Sequence, residues 1–187
     1  MEAFSDGVIA IIITIMVLEL HPPEEPTFAA LVPLLPVFLS YVLSFVYIGI
    51  YWNNHHHMLQ AADHVNGRIL WANMHLLFWL SIIPFATAWM GGTSFAAAPV
   101  AIYGVIMVMA ATAYGILARA LIAAHGADSR LATAIGRDRK GNLSIALYIA
   151  AVVLAFVNPW ISCGLYVVVA LIWFIPDTRI EKTLDRQ

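Results

Sequence analysis

Six long apolar runs, separated by short stretches carrying proline, glycine or charge, constrain this chain most. A run of about 20 apolar residues matches the hydrocarbon core of a bilayer crossed by one helix. A water-soluble globule of 187 residues has no room to hide six of them. The composition agrees, because only 11% of residues are charged, against about 25% in soluble domains. A soluble enzyme, a disordered chain and a nucleic-acid binder are excluded, the last also by a net charge of −2, which offers phosphate no basic surface. The single cysteine, Cys163, permits no intrachain disulfide. No Lys or Arg precedes the first run and no small-x-small cleavage site follows it, so that run is expected to be a retained helix rather than a secretory signal.

The first run is Ala3 to Leu20, ended by the proline-rich loop His21 to Pro26. The second runs from Phe28 to about His56, with Pro33 and Pro36 near its start. The third is Ile69 to Met90, stopped by Gly91 and Gly92, and the fourth is Pro99 to about Ala124. A polar stretch from His125 to Asn142 follows. The fifth run is Leu143 to Val157, and the sixth is Trp160 to Ile175. These last two are short for a bilayer and are expected to borrow flanking residues. The fold class expected is therefore all-α integral membrane, with residues 1–187 forming one six-span subunit. Continuous rather than alternating runs argue against a β-barrel.

Charge orients the spans. With six crossings, Arg68, Arg119, Arg130, Arg137, Arg139, Lys140, Arg179, Lys182 and Arg186, which are all nine basic residues, fall on one side. The positive-inside rule places that side, and both termini, in the cytoplasm.

Ionisable groups at membrane depth are costly and so mark function by default. Asp6, near the start of the first run, is the sharpest case. At about 100° per residue, Gly7, Ile11, Thr14, Ile15 and Leu18 share one narrow helix face, and Asp6 lies about 220° from Ile11. Asp6 is thus expected to face the rest of the bundle, where it either locks helices together or sits as an interfacial carboxylate at a positive helix end. The stripe faces lipid, another helix or something else. Asn73 in the third run is a natural hydrogen-bonding partner for Asp6 or Ser5. His75 lies about 200° round from Asn73 and is expected to point elsewhere. Consecutive His55, His56 and His57 point in three directions on a helix and lack the i, i+4 spacing of a shared metal, so no metal ligand set and no cofactor are expected.

These residues resemble the transmembrane protein 175 family of potassium-permeable channels in its short prokaryotic form. The resemblance rests on Glu2-Ala3-Phe4-Ser5-Asp6-Gly7-Val8, on Trp52 followed by His55, and on Asn73 followed by Pro84-Phe85. It covers the first half of the chain; beyond residue 100 only the number of spans agrees. The family usually carries an Arg four residues before the Phe, a position that falls one residue before Met1 here.

The resemblance implies a homotetramer in the prokaryotic plasma membrane, with a central pore lined by the first span. It places the narrowest hydrophobic constriction at Ile11, further pore layers at Ile15 and Leu18, and a polar position at Thr14. It makes Phe4, Ser5 and Asp6 a packing lock, with Trp52, His55 and Asn73 as partners. The expected activity is a leak-like cation conductance with some preference for potassium ions, and no catalysis. The alternatives are a proton- or metal-coupled transporter using Asp6, His55 and His75, and a haem protein with histidines from two spans.

Overall fold

A computed structural model describes residues 1–62, 64–126 and 138–174. Among them, every regular element is helical. The helices are α1 (Glu2–Leu18), α2 (Leu35–Gln60), α3 (Gly67–Gly92), α4 (Ala97–His125), α5 (Arg139–Leu154) and α6 (Pro159–Phe174), with a 3₁₀ helix over Phe28–Leu34 before α2. Among the described residues, three helical stretches are long and apolar enough to cross a membrane: Phe28–Gln60, Gly67–Gly92 and Ala97–His125. Helix α6 is a shorter apolar helix. Of the basic residues used for orientation, Arg130, Arg137, Arg179, Lys182 and Arg186 lie outside the described residues, as does Ile175.

The boundaries follow local chemistry. The second run divides because Pro33 sits in the 3₁₀ segment and Pro36 in the first turn of α2, where a missing N–H costs nothing. Thr27 opens that segment by accepting from the Ala30 N–H. Asn66 caps α3 through the Ile69 N–H at 3.0 Å. Helix α5 begins four residues before the expected Leu143, because Asp138 accepts from the Gly141 N–H at 2.7 Å and so draws Arg139 to Asn142 into the helix. It also stops at Leu154 rather than Val157. Pro159 stands at the first position of α6, and Asn158 accepts from the Trp160 N–H at 3.0 Å.

Helices α3 and α4 form the middle of the bundle and carry most of the buried side chains, among them Leu76, Leu80, Ile83, Tyr103, Met107 and Leu117. Helix α1 packs on α2 and α3, α5 packs on α4, and α6 closes against α2, α4 and α5. In lipid, apolar faces gain little by meeting each other, so close packing and buried hydrogen bonds hold helices together. Both occur here. Gly91 lets α3 approach α2 so closely that a Cβ at this position would lie 2.7 Å from the Val37 Cα and against Ser40 Oγ. The Tyr47 hydroxyl donates to the Tyr166 carbonyl at 2.6 Å, and the Tyr166 hydroxyl donates to the Val100 carbonyl at 2.9 Å. Tyr166 thereby ties α6 to both α2 and α4. Ser44 joins α2 to α3 through Thr87 at 2.7 Å and to α4 through Tyr103 at 3.1 Å.

Candidate functional site: the two faces of the first helix

Helix α1 has two unlike faces. Ser5, Ile9, Ile12 and Met16, at helical spacing, are buried against α2 and α3. The opposite stripe carries Ile11, Ile15 and Leu18, which remain 58%, 43% and 74% exposed. Gly7 and Thr14 lie on the same exposed side. The Thr14 hydroxyl donates to the Ile11 carbonyl at 2.9 Å, so its oxygen keeps acceptor capacity toward the open side.

The buried face is held by a polar chain. Asn73 Nδ2 on α3 donates to Ser5 Oγ at 2.9 Å, and Ser5 Oγ donates to the Met1 carbonyl at 3.2 Å. On its other side Asn73 Oδ1 meets His55 Nε2 at 2.7 Å. A carbonyl oxygen can only accept, so His55 carries its proton on Nε2. All three side chains are buried. Ser5, His55 and Asn73 therefore link α1, α2 and α3 at one level of the bundle.

Asp6 is half-buried at the edge of this chain. Its Oδ1 accepts from Trp52 Nε1 on α2 at 3.0 Å. Trp52 also stacks on His56, four residues further along α2, with ring centroids 5.7 Å apart. His56 Nδ1 in turn lies 3.0 Å from Glu2 Oε1.

The structure thus brings Ser5, Asp6, Trp52, His55 and Asn73 together. Of the two partners considered for Asn73, it reaches Ser5; Asp6 is taken by Trp52. Phe4 stays outside the network, 57% exposed. His75 accepts from Trp79 Nε1 at 3.0 Å and makes no hydrogen bond to the His55 group. Glu2 and His56 join the network, a partnership not expected from the sequence. The available signal was spacing: Glu2 and Asp6, like Trp52 and His56, stand four apart and so share a helix face.

The sequence profile described as endosomal/lysosomal potassium channel TMEM175 matches residues 1–84. A potassium channel of Chryseobacterium sp. (strain P1-3) is 55% identical over 184 residues, which cover 98% of this chain and 96% of the relative. The chain belongs to the TMEM175 family. A more distant relative, a potassium channel of Chamaesiphon minutus, is 29% identical over 91% of this chain and 90% of its own. The crystal structure of a lysosomal potassium-selective TMEM175 homolog from the same organism superposes with a TM-score of 0.81 at 28% identity, covering 94% of this chain and 95% of that one. The TMEM175 profile spans α1, α2 and most of α3, which are the helices that carry the polar chain and the exposed stripe.

Proposed function

We propose that this TMEM175 chain is the subunit of a homotetrameric potassium channel in the prokaryotic plasma membrane. In this reading residues 1–187 form one domain, six helices span the bilayer, and both termini are cytoplasmic. The one-sided distribution of Lys and Arg supports that orientation. No catalysis and no cofactor are involved; the partners are potassium ions, lipid and three further copies of the chain.

One observation carries the reading. Helix α1 is pinned by its Ser5 and Asp6 face and leaves an apolar stripe of Ile11, Ile15 and Leu18 uncovered in the single subunit. Four such stripes meeting at an axis enclose a path. Four Ile11 side chains make an apolar ring that closes by losing its water. Ile15 and Leu18 extend the constriction outward, and Thr14 supplies a polar group beside it. Opening then needs only a small rotation or dilation of α1. Ions that shed water more cheaply cross such a ring more readily, which favours potassium over sodium.

The relatives named as potassium channels support the ion, and family membership supports a channel over a coupled transporter. The deciding experiment is the reversal potential of the purified chain in liposomes under opposed potassium and sodium gradients. Unitary currents reversing toward the potassium equilibrium potential support the reading. Saturable, proton-coupled flux without unitary currents overturns it in favour of a transporter built on Asp6, His55 and His75.

A further inference from the structure

We propose that Glu2, Asp6 and His56 form a binding site for a divalent transition-metal ion, bridging α1 and α2 near the start of α1. Along the chain, His55, His56 and His57 lack the spacing of a shared metal among themselves. The fold instead pairs one of them with two carboxylates from another helix.

The three side chains each present one ligand atom, and these atoms lie within 4.8 Å of one another. Glu2 and Asp6 are one turn apart on α1, so their carboxylates project from one face. His56 approaches that face from α2. In a tetrahedral site with metal–ligand bonds of about 2.1 Å, neighbouring ligand atoms stand about 3.4 Å apart. His56 Nδ1 and Glu2 Oε1 are 3.0 Å apart, so side-chain adjustment of a few tenths of an ångström seats that pair. The contact has salt-bridge distance without hydrogen-bond alignment: His56 Nδ1 is shielded from solvent and has no hydrogen-bond partner.

The surroundings orient the ligands as metal sites require. Gln60 lies 2.9 Å from His56 Nε2 and can accept from an Nε2–H through its amide oxygen once the amide is turned, leaving the Nδ1 lone pair for the metal. Trp52 stacks on the imidazole and holds one Asp6 oxygen, leaving the other to coordinate. One nitrogen and two carboxylate donors, with a fourth position open to water, suit zinc, cobalt or manganese better than magnesium or calcium. All ligands come from one chain, so the site does not rest on the pore assignment.

The test uses the full-length protein, purified in detergent and stripped with a chelator. Titration with Co²⁺ is followed by its visible d–d absorption, and Zn²⁺ is added as competitor. The expected result is saturation at one ion per chain and displacement by Zn²⁺. The variants E2Q and H56Q should each weaken Co²⁺ binding at least about tenfold, the lower end of what losing even a supporting partner costs a metal site. A double variant H64A/H125A controls for the other close histidine pair, whose rings lie 4.3 Å apart, and should bind as the parent does. Absence of saturable binding in the parent overturns the proposal. So does binding that survives in both E2Q and H56Q, or that disappears in H64A/H125A while persisting in H56Q. Circular dichroism of each variant separates loss of a ligand from loss of fold: a helical variant that no longer binds counts for the site, and for a variant that unfolds E2A or H56A is measured instead, where loss of binding in a helical protein supports the site and undiminished binding overturns it.

Discussion

Trp52 and Asp6 join the second helix to the first through one hydrogen bond, Nε1 to Oδ1 at 3.0 Å. The bond helps fix which way α1 faces, together with the Ser5–Asn73 bond and the buried Ile9, Ile12 and Met16. With Asp6 held toward α2, helical geometry turns Ile11, Thr14 and Leu18 away from the bundle.

That relationship predicts separable effects at its two ends. Trp52→Phe keeps a ring over His56 but removes the donor, so its cost is expected near the average for interhelical hydrogen bonds in membranes, about 0.6 kcal/mol. Asp6→Ala removes the acceptor and should chiefly impair assembly. Size-exclusion chromatography and thermal melting in detergent measure both. A normal tetramer with normal currents in Asp6→Ala contradicts the lock.

Ile11→Asn should raise potassium conductance and weaken discrimination against sodium. In the proposed ring of four Ile11 side chains, a polar replacement would keep water in place, so neither dewetting nor the cost of shedding hydration would limit passage. Liposome flux and bilayer recordings are the readouts. Currents identical to those of the parent channel remove Ile11 from the gate.

Asn73→Ala should destabilise the bundle more than Trp52→Phe. Asn73 serves Ser5 and His55 together, and all three are buried. His55 Nε2 would lose the Asn73 acceptor altogether, while Ser5 would lose its donor and keep its bond to the Met1 carbonyl; a buried polar group left without a partner costs about 1–3 kcal/mol. Comparing the melting temperatures of the two variants in one detergent checks the order.

Gly91→Ala tests close packing away from the polar chain. The new Cβ has no room beside the Val37 backbone, so α2 and α3 must separate locally. Overpacking of this kind costs about 1–3 kcal/mol. Gly92→Ala, whose Cβ meets nothing within 4 Å, is the matched control and should melt close to the parent.

Much of this protein is legible in its sequence because a bilayer leaves few choices. Backbone polar groups have no water to turn to there, so long apolar runs become helices, and prolines and glycines mark where they stop. The 100° step between residues relates Asp6 to Ile11 without any coordinates. The short motifs around Ser5, Trp52 and Asn73 carry the family.

Partnership inside the bundle is another matter. Nothing in the order of residues says that Asn73 reaches Ser5 while Trp52 takes Asp6, because each choice depends on how three helices rotate against one another. His56 illustrates the limit best. Beside His55 and His57 it reads as a polar helix end, and only the approach of α1 sets it against Glu2 and Asp6. The tyrosine ties from Tyr47 to Tyr166 and from Tyr166 to Val100 are equally silent in sequence. Periodicity along a chain determines which residues share a face. Which faces meet is decided by packing between distant segments, and there the tertiary structure alone chose the partners.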